Sequence, residues 1–298
     1  MNDRDLRVFE VVARTGGIGR AAAELHTVQS NVTARIRALE EELGVTLFER
    51  HSRGVLLTAA GRRLLPYAGR VGQLLADAAR AARDDGTPGG PLTLGALETT
   101  AALRLSPALA AYAAAHPAVD LALRTGTTTE LVAEVLARRV DGAFVCGPVH
   151  HPDLVAEVVF EEELVLLTAP GAGGLDRLLA DGAASGGLRI VVLRAGCSYR
   201  QRLEEVLARR GAVGLRRLEF GTLEAIFGCV AAGLGVTLLP RALIGPVWAA
   251  GRVAVHSLPP SEARVETLFI RHRAAPETSA LTAFLDLFRA AGTARAAE

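Results

Sequence analysis

The sequence predicts an α/β protein in two folded parts. One is a small helical N-terminal unit closed by a β-hairpin; the other is a larger unit in which strands and helices alternate. Three observations carry this. Apolar residues recur at helical spacing from Leu6 to Leu43 and at strand spacing just after. A breaker-rich segment, Asp84-Asp85-Gly86-Thr87-Pro88-Gly89-Gly90-Pro91, then interrupts the chain. Beyond it β-rich runs alternate with helical ones, the pattern of a largely parallel sheet covered by helices.

The 298 residues, half of them apolar, suffice for two hydrophobic cores and argue against disorder. The formal net charge is +1 and the chain has no lysine, so all 33 basic residues are arginine. Cys146, Cys197 and Cys229 have no metal-ligand spacing and are too few for a disulfide framework. No signal peptide is visible, and no run approaches the ~20 apolar residues of a membrane span. A cytoplasmic protein without membrane association is expected. No glycine-rich phosphate loop, paired metal ligands or nucleophile elbow is visible, so no catalytic residue, metal or organic cofactor is expected.

The first helix carries Leu6, Phe9, Val12 and Ala13 on one face and ends at Gly16-Gly17. A short second helix turns Ala21, Ala22 and Leu25 inward, small residues that let the next helix cross closely. The third runs from about Val28 to Leu43 with Val32, Ile36, Leu39 and Leu43 buried. Gln29, Ser30, Asn31, Thr33, Ala34, Arg35 and Arg37 are left towards solvent. Two short helices joined by a tight turn, the second polar outside, make a helix-turn-helix. Gln and Asn at the start of such a helix can pair bidentately with adenine, and Arg with guanine or phosphate. Thr46-Leu47-Phe48 and Gly54-Val55-Leu56-Leu57 read as two strands of a wing, with Arg50, His51, Ser52 and Arg53 at its tip. From Arg50 to Ala76 there are five arginines and no acid. A basic wing beside a reading helix contacts phosphates, which give affinity without sequence choice. The candidate DNA-contacting residues are Arg20, Gln29, Ser30, Asn31, Thr33, Arg35, Arg37, Arg50 and Arg53.

Thr58 can cap a long helix from about Ala59 to Arg83, with Pro66 in its early turns. Leu64, Val71, Leu74, Leu75 and Ala78 form an apolar seam near heptad spacing that needs a partner. The expected divisions are 1–58 for the winged helix-turn-helix, 59–90 for the linker helix and hinge, and 91–298 for the rest. In that last part, strands are expected at 92–97, 119–125, 141–145, 163–168, 189–193, 215–220, 236–239 and 265–271. Helices are expected at 101–115, 127–138, 198–210, 223–232 and 278–290, the second opened by a Thr127–Glu130 capping box. The chain crosses twice between two lobes, lobe 1 about 91–163 with 269–298 and lobe 2 about 164–268.

Ligands of such folds bind where strand ends meet helix N-termini. The candidate ligand-contacting residues are Thr99, Thr100, Thr127, Cys146, Ser198, Tyr199 and Thr222. Hydroxyls and free backbone N–H groups suit a small carboxylate-bearing or zwitterionic metabolite, while Glu98 would instead hold an amine. Singly, Thr127 and Thr222 also read as plain helix caps. The alternative for the sensing step is a thiol redox switch at Cys197; a Cys-dependent enzyme would need a His placed beside Cys197, and the absent export signal and DNA-binding N-terminus speak against a solute-binding protein.

The segment Ala21 to Gly61 resembles the winged helix-turn-helix of LysR-type transcriptional regulators. The resemblance is carried by Ala21-Ala22, Leu25, Gln29-Ser30, Val32-Thr33, Ile36, Leu39-Glu40, Leu43-Gly44, Leu47-Phe48, Arg50, Leu57-Thr58 and Gly61. It extends along the whole chain in element order. The family usually has a hydroxyl residue where Gly19 stands, Ser where Val28 stands, and Arg or Gln where Ala34 stands. Thr27 offers a substitute cap beside Val28. The resemblance implies a periplasmic-binding-protein-like C-terminal effector domain and double-stranded DNA as partner. It also implies a dimer through the linker helix, assembly to a tetramer, and recruitment of RNA polymerase.

Overall fold

The structure is a computed structural model that describes all residues except 52, 53, 174, 185, 186, 213, 246, 247 and 296–298. The chain divides into two compact units, Met1–Arg83 and Asp84–Glu298.

In the first unit, α1 (Asp3–Thr15), α2 (Ile18–Glu24) and α3 (Gln29–Leu43) lead into strands β1 (Phe48–His51) and β2 (Gly54–Leu57) and then α4 (Ala59–Arg83). Phe9, Val12, Ala21, Val32, Ile36, Leu39 and Leu47 form the core, and Leu64 and Leu65 of α4 pack on it. Leu43, expected inside, is 37% exposed, because α3 ends at Gly44 in the left-handed conformation and the chain turns away. Leu47 takes the inward place instead and lies before the wing, which starts two residues later than Thr46. Glu40 fixes that turn: its carboxylate accepts from the N–H of Leu47 at 2.7 Å and of Phe48 at 3.2 Å. Val55 of the wing donates to the Gly16 carbonyl, tying the hairpin to the α1–α2 turn. Thr58 caps α4, its hydroxyl accepting from Gly61 N–H at 3.0 Å. The helix continues through Pro66 to Arg83.

In the second unit, β3 (Gly90–Ala96) leads into a helical run made of α5 (Glu98–Thr100), a π-helical turn (Ala101–Leu105) and α6 (Ser106–Ala115). Pro107 accounts for the widened turn, since it cannot donate to the preceding turn. Then come β4 (Val119–Thr125), α7 (Thr128–Leu136), β5 (Gly142–Cys146), β6 (Leu154–Thr168), α8 (Leu175–Ala184), β7 (Arg189–Leu193), α9 (Ser198–Arg209), β8 (Arg216–Phe220) and α10 (Leu223–Ala231). The chain ends with β9 (Thr237–Pro240), β10 (Ala254–Ser257), α11 (Pro260–Ala263), β11 (Arg264–His272) and α12 (Ser279–Arg295).

A seven-stranded sheet runs β10-β6-β11-β5-β3-β4, with β9 also paired to β6. Among the strands of the described residues, β4–β3–β5 and separately β7–β8 pair in parallel. The expectation of a largely parallel sheet fails at β6 and β11. These two long strands carry the chain out to the second lobe and back, so they run antiparallel. β6 pairs with β11 as far as Glu163, then from Leu164 with β9 and from Val165 with β10. Four elements have no counterpart in the sequence expectation: the first half of β6, α8, β10 and α11. The aromatic rings of Tyr112, Phe144, Phe269 and Phe284 fill the core on one side of lobe 1. Arg104 of the π turn reaches the crossing, donating to both oxygens of the buried Glu162 at 3.0 and 3.3 Å.

Candidate DNA-reading face and ligand pocket

Gln29, Ser30, Asn31 and Arg37 lie exposed on α3 with Ala34, and Thr33 is half-buried. Val28 is the N-cap of α3 and supplies no side-chain acceptor. Thr27 does not take over that cap: its hydroxyl accepts instead from the Asn31 side-chain amide at 2.9 Å. That bond orients Asn31 on the first turn. A Cβ on Gly19 would lie 3.1 Å from the Gln29 amide nitrogen, so the missing side chain leaves room for Gln29.

Two of the expected contact residues are committed elsewhere. Arg35 pairs with Asp5 of α1 at 2.8 Å and is half-buried, so it braces α3 against α1 rather than standing free in solvent. Arg20 donates through Nε to the Thr15 carbonyl at 2.6 Å, which leaves its remaining N–H groups at the α1–α2 turn. Arg50 belongs to β1, but its side chain lies outside the described residues, as does Arg53.

The C-terminal ends of β3, β4, β5, β7 and β8 surround a cavity of about 350 Å³ in the second unit. Thr99, Thr127, Cys146, Ser198, Tyr199 and Thr222 all line it. Thr100 does not; it is buried, 4% exposed, on the other side of the helical turn. Glu98, Arg194 and Gly126 line the cavity as well. Arg194 stands in the loop after β7, a strand-to-helix connection of the kind that signals a site.

Most hydroxyls here are already engaged. Thr127 and Glu130 form a reciprocal capping box on α7. The Thr127 N–H holds the Glu130 carboxyl below its ordinary value, with the Arg194 guanidinium, 3.1 Å away, adding to the effect. Thr222 caps α10 through the Ala225 N–H. Ser198 donates to the Thr128 hydroxyl at 2.9 Å, joining the lobes. Thr129 also crosses, donating N–H to the Gly196 carbonyl at 3.4 Å. Glu98 crosses too, accepting from Leu223 N–H at 3.2 Å. The Thr99 hydroxyl is buried, and its polar neighbour is the side chain of the equally buried Tyr199.

The cysteines are placed for packing. Desolvation pushes the Cys146 thiol up to about 12 against the pull of Arg202. Burial also raises the Cys197 thiol, outweighing the Arg200 and Tyr199 N–H groups that favour a thiolate. A thiol sensor needs the reverse shift. At pH 8, iodoacetamide should modify the half-buried Cys229 first, with the buried Cys146 and Cys197 clearly slower. Peptide mass spectrometry reads the order, and Cys197 reacting first would reverse this assignment.

Comparison with known proteins gives a consistent picture. Residues 4–62 match the family model for bacterial regulatory helix-turn-helix proteins of the lysR family, and residues 85–293 match the LysR substrate binding domain. The chain is 44% identical over 294 residues to the HTH-type transcriptional regulator YusT of Bacillus subtilis (strain 168), spanning 99% of this chain and 97% of YusT. It is 42% identical over 289 residues to the HTH-type transcriptional regulator GltR of the same organism, spanning 97% and 96%. Among solved structures, full-length CbnR complexed with its target DNA aligns at a TM-score of 0.67 and 24% identity, over 97% of this chain and 99% of that one. A full-length OxyR variant from Pseudomonas aeruginosa aligns at 0.69 and 22%, over 97% and 95%; at such identities both speak for the fold alone. The relatives named are regulators, not enzymes. With both family domains present in order, and relatives above 40% identity along nearly its whole length, the chain belongs to the LysR family: it is a DNA-binding transcriptional regulator with a helix-turn-helix domain and a substrate-binding effector domain.

Proposed function

We propose that this regulator reads double-stranded DNA with the start of α3 and holds phosphates with its wing. It responds to a small carboxylate-bearing or zwitterionic metabolite bound between the lobes of its effector domain. The observation that carries the ligand reading is the cavity of about 350 Å³ itself, lined by Thr99, Thr127, Ser198 and Thr222 where strand ends meet the N-termini of α9 and α10. Gln29 and Asn31 supply base-edge groups, while Arg37 and the wing arginines Arg50 and Arg53 supply phosphate contacts. Thr33 and Ser30 line the same face, and Arg35 acts through the brace it forms with Asp5.

Dimerisation through α4 follows from its seam: Val71, Leu74, Leu75 and Ala78 are all exposed in the single chain, Leu74 by 56%. A second α4 covers them, and two reading helices then meet a pseudo-palindromic site. Effector domains pair these dimers into a tetramer. Four contacts cross the cleft, from Glu98, Thr128, Thr129 and Glu130 to Leu223, Ser198, Gly196 and Arg194. A ligand that binds one arrangement of these contacts better than the other shifts the lobe angle, the spacing of the DNA-binding pairs, and with it RNA polymerase recruitment. The setting for this is the cytoplasm, where the DNA is.

The test is fluorescence anisotropy of the full-length protein on DNA upstream of its own gene against random DNA, over a salt series. A specific site should bind at least about 1000-fold tighter than random DNA, with affinity falling steeply as salt rises. Leu74→Asp should lose that tight mode while keeping weak, salt-dependent binding. Equal, weak binding of the wild-type protein to both DNAs would overturn the reading.

A further inference from the structure

We infer that Val28 is a base-reading residue: its methyl groups pack on the 5-methyl group of a thymine in the major groove, so that the first turns of α3 select A·T pairs. This rests on reading the start of α3 as the DNA-reading segment.

Val28 is the most exposed large apolar side chain among the described residues, at 65%. It stands at the N-cap of α3, where its carbonyl accepts from Asn31 N–H at 3.1 Å and from Val32 N–H at 3.3 Å. Its side chain offers the helix no acceptor, unlike the Ser, Thr, Asn or Asp preferred at that position. The fold therefore gains neither a cap nor buried apolar surface from the valine. What the side chain lacks is an apolar partner. The surface that meets the start of a reading helix is the major groove, and the apolar group displayed there is the thymine methyl.

The neighbouring residues favour the same base pair. From Thr27 to Ala34 no residue carries a charge. Gln29 and Asn31 are exposed amides, matched to the N6 and N7 edge of adenine. Asn31 spends one of its two side-chain N–H groups on the Thr27 hydroxyl at 2.9 Å, leaving the other and its oxygen for a base. Guanine is read chiefly by arginine or lysine. The first arginine of α3, Arg35, is held by Asp5, and Arg37 lies only in the third turn. An A·T pair shows its adenine edge and its thymine methyl in the same groove, so one pair or two neighbouring pairs serve amide and methyl together. Hydroxyl and amide groups alone would read the adenine; the valine adds a demand for the methyl on the opposite strand.

The experiment selects the tightest-binding duplex from a random-sequence pool with the full-length protein, then replaces its thymines one at a time by uracil, which lacks only the 5-methyl group. At one or more thymines the replacement should weaken wild-type binding about fourfold, the worth of one buried methylene. In Val28→Ala the penalty at those same positions should fall below about 1.5-fold, since most of the apolar contact is gone. Val28→Ser restores a capping oxygen, so its melting temperature should equal or exceed that of the wild type while the same penalty disappears. A valine with a purely structural role would not separate stability from methyl sensitivity in this way. If the uracil penalties match at every position in wild type and Val28→Ala, the thymine contact is wrong, and the α3 reading survives as long as Gln29→Ala still loses the preference for the selected duplex. If the pool yields no preferred duplex, or if the Gln29→Ala/Asn31→Ala pair keeps the full preference, the α3 reading fails and the role of Val28 with it.

Discussion

Replacing Gly61 with alanine is expected to destabilise the DNA-binding unit by about 3 kcal/mol, at the upper end of what overpacking costs. The added Cβ would lie 2.3 Å from the Leu47 carbonyl oxygen and 2.8 Å from Leu57 Cδ2. Neither can yield cheaply. The Leu47 carbonyl accepts from Thr58 N–H at 3.0 Å, and Leu47 is a buried core residue. The clash therefore pushes α4 away from the segment that feeds the wing. In a unit of this size 3 kcal/mol lowers the melting temperature by more than about 10 °C. Calorimetry of the full-length variant should show its first transition moved down by that amount, with specific DNA binding lost in parallel. A melting temperature within about 2 °C of the wild-type value would sink the argument.

Removing Arg104 should cost the effector domain a similar amount by a different route. Glu162 is buried at the strand crossing and receives two bonds from Arg104, whose guanidinium also sits 5.5 Å from the centre of the Phe160 ring. Taking away one partner strands a buried charge, which costs about 3–5 kcal/mol, whereas replacing both with apolar residues of similar size can be nearly neutral. Arg104→Leu alone should therefore shift the urea midpoint strongly downward, and the Arg104→Leu/Glu162→Leu pair should recover most of it. If the single and double variants are equally destabilised, the loss comes from packing and not from the stranded carboxylate. The location gives this pair a second interest. Arg104 lies one helical turn beyond Thr99, so it ties the pocket rim to the strands that join the lobes.

What was legible in advance follows the range of the forces involved. The bounds of α4, β4 and β7, the Thr127–Glu130 capping box and the Thr58 cap all follow from neighbours within a few residues: periodicity, a hydroxyl at a helix start, a glycine at its end. The polar face of α3 follows from the same periodicity. Such features carry their cause in the local sequence, and the family pattern of the first sixty residues is built from them.

Tertiary structure decided the rest. The first half of β6 holds Glu157, Glu161 and Glu162 and does not read as a strand; it becomes one because β11, about a hundred residues on, supplies its hydrogen bonds. Glu162 can be buried there only because Arg104 arrives from another element. Nothing local says that Asp5 claims Arg35, or that Thr99 faces the cavity while Thr100 turns away. The same holds for Glu98, whose partner stands 125 residues further along the chain. Local sequence determined the elements and the DNA-reading motif. Long-range packing, which depends on where every other element comes to rest, determined which polar groups are spent on holding the protein together and which remain for a ligand.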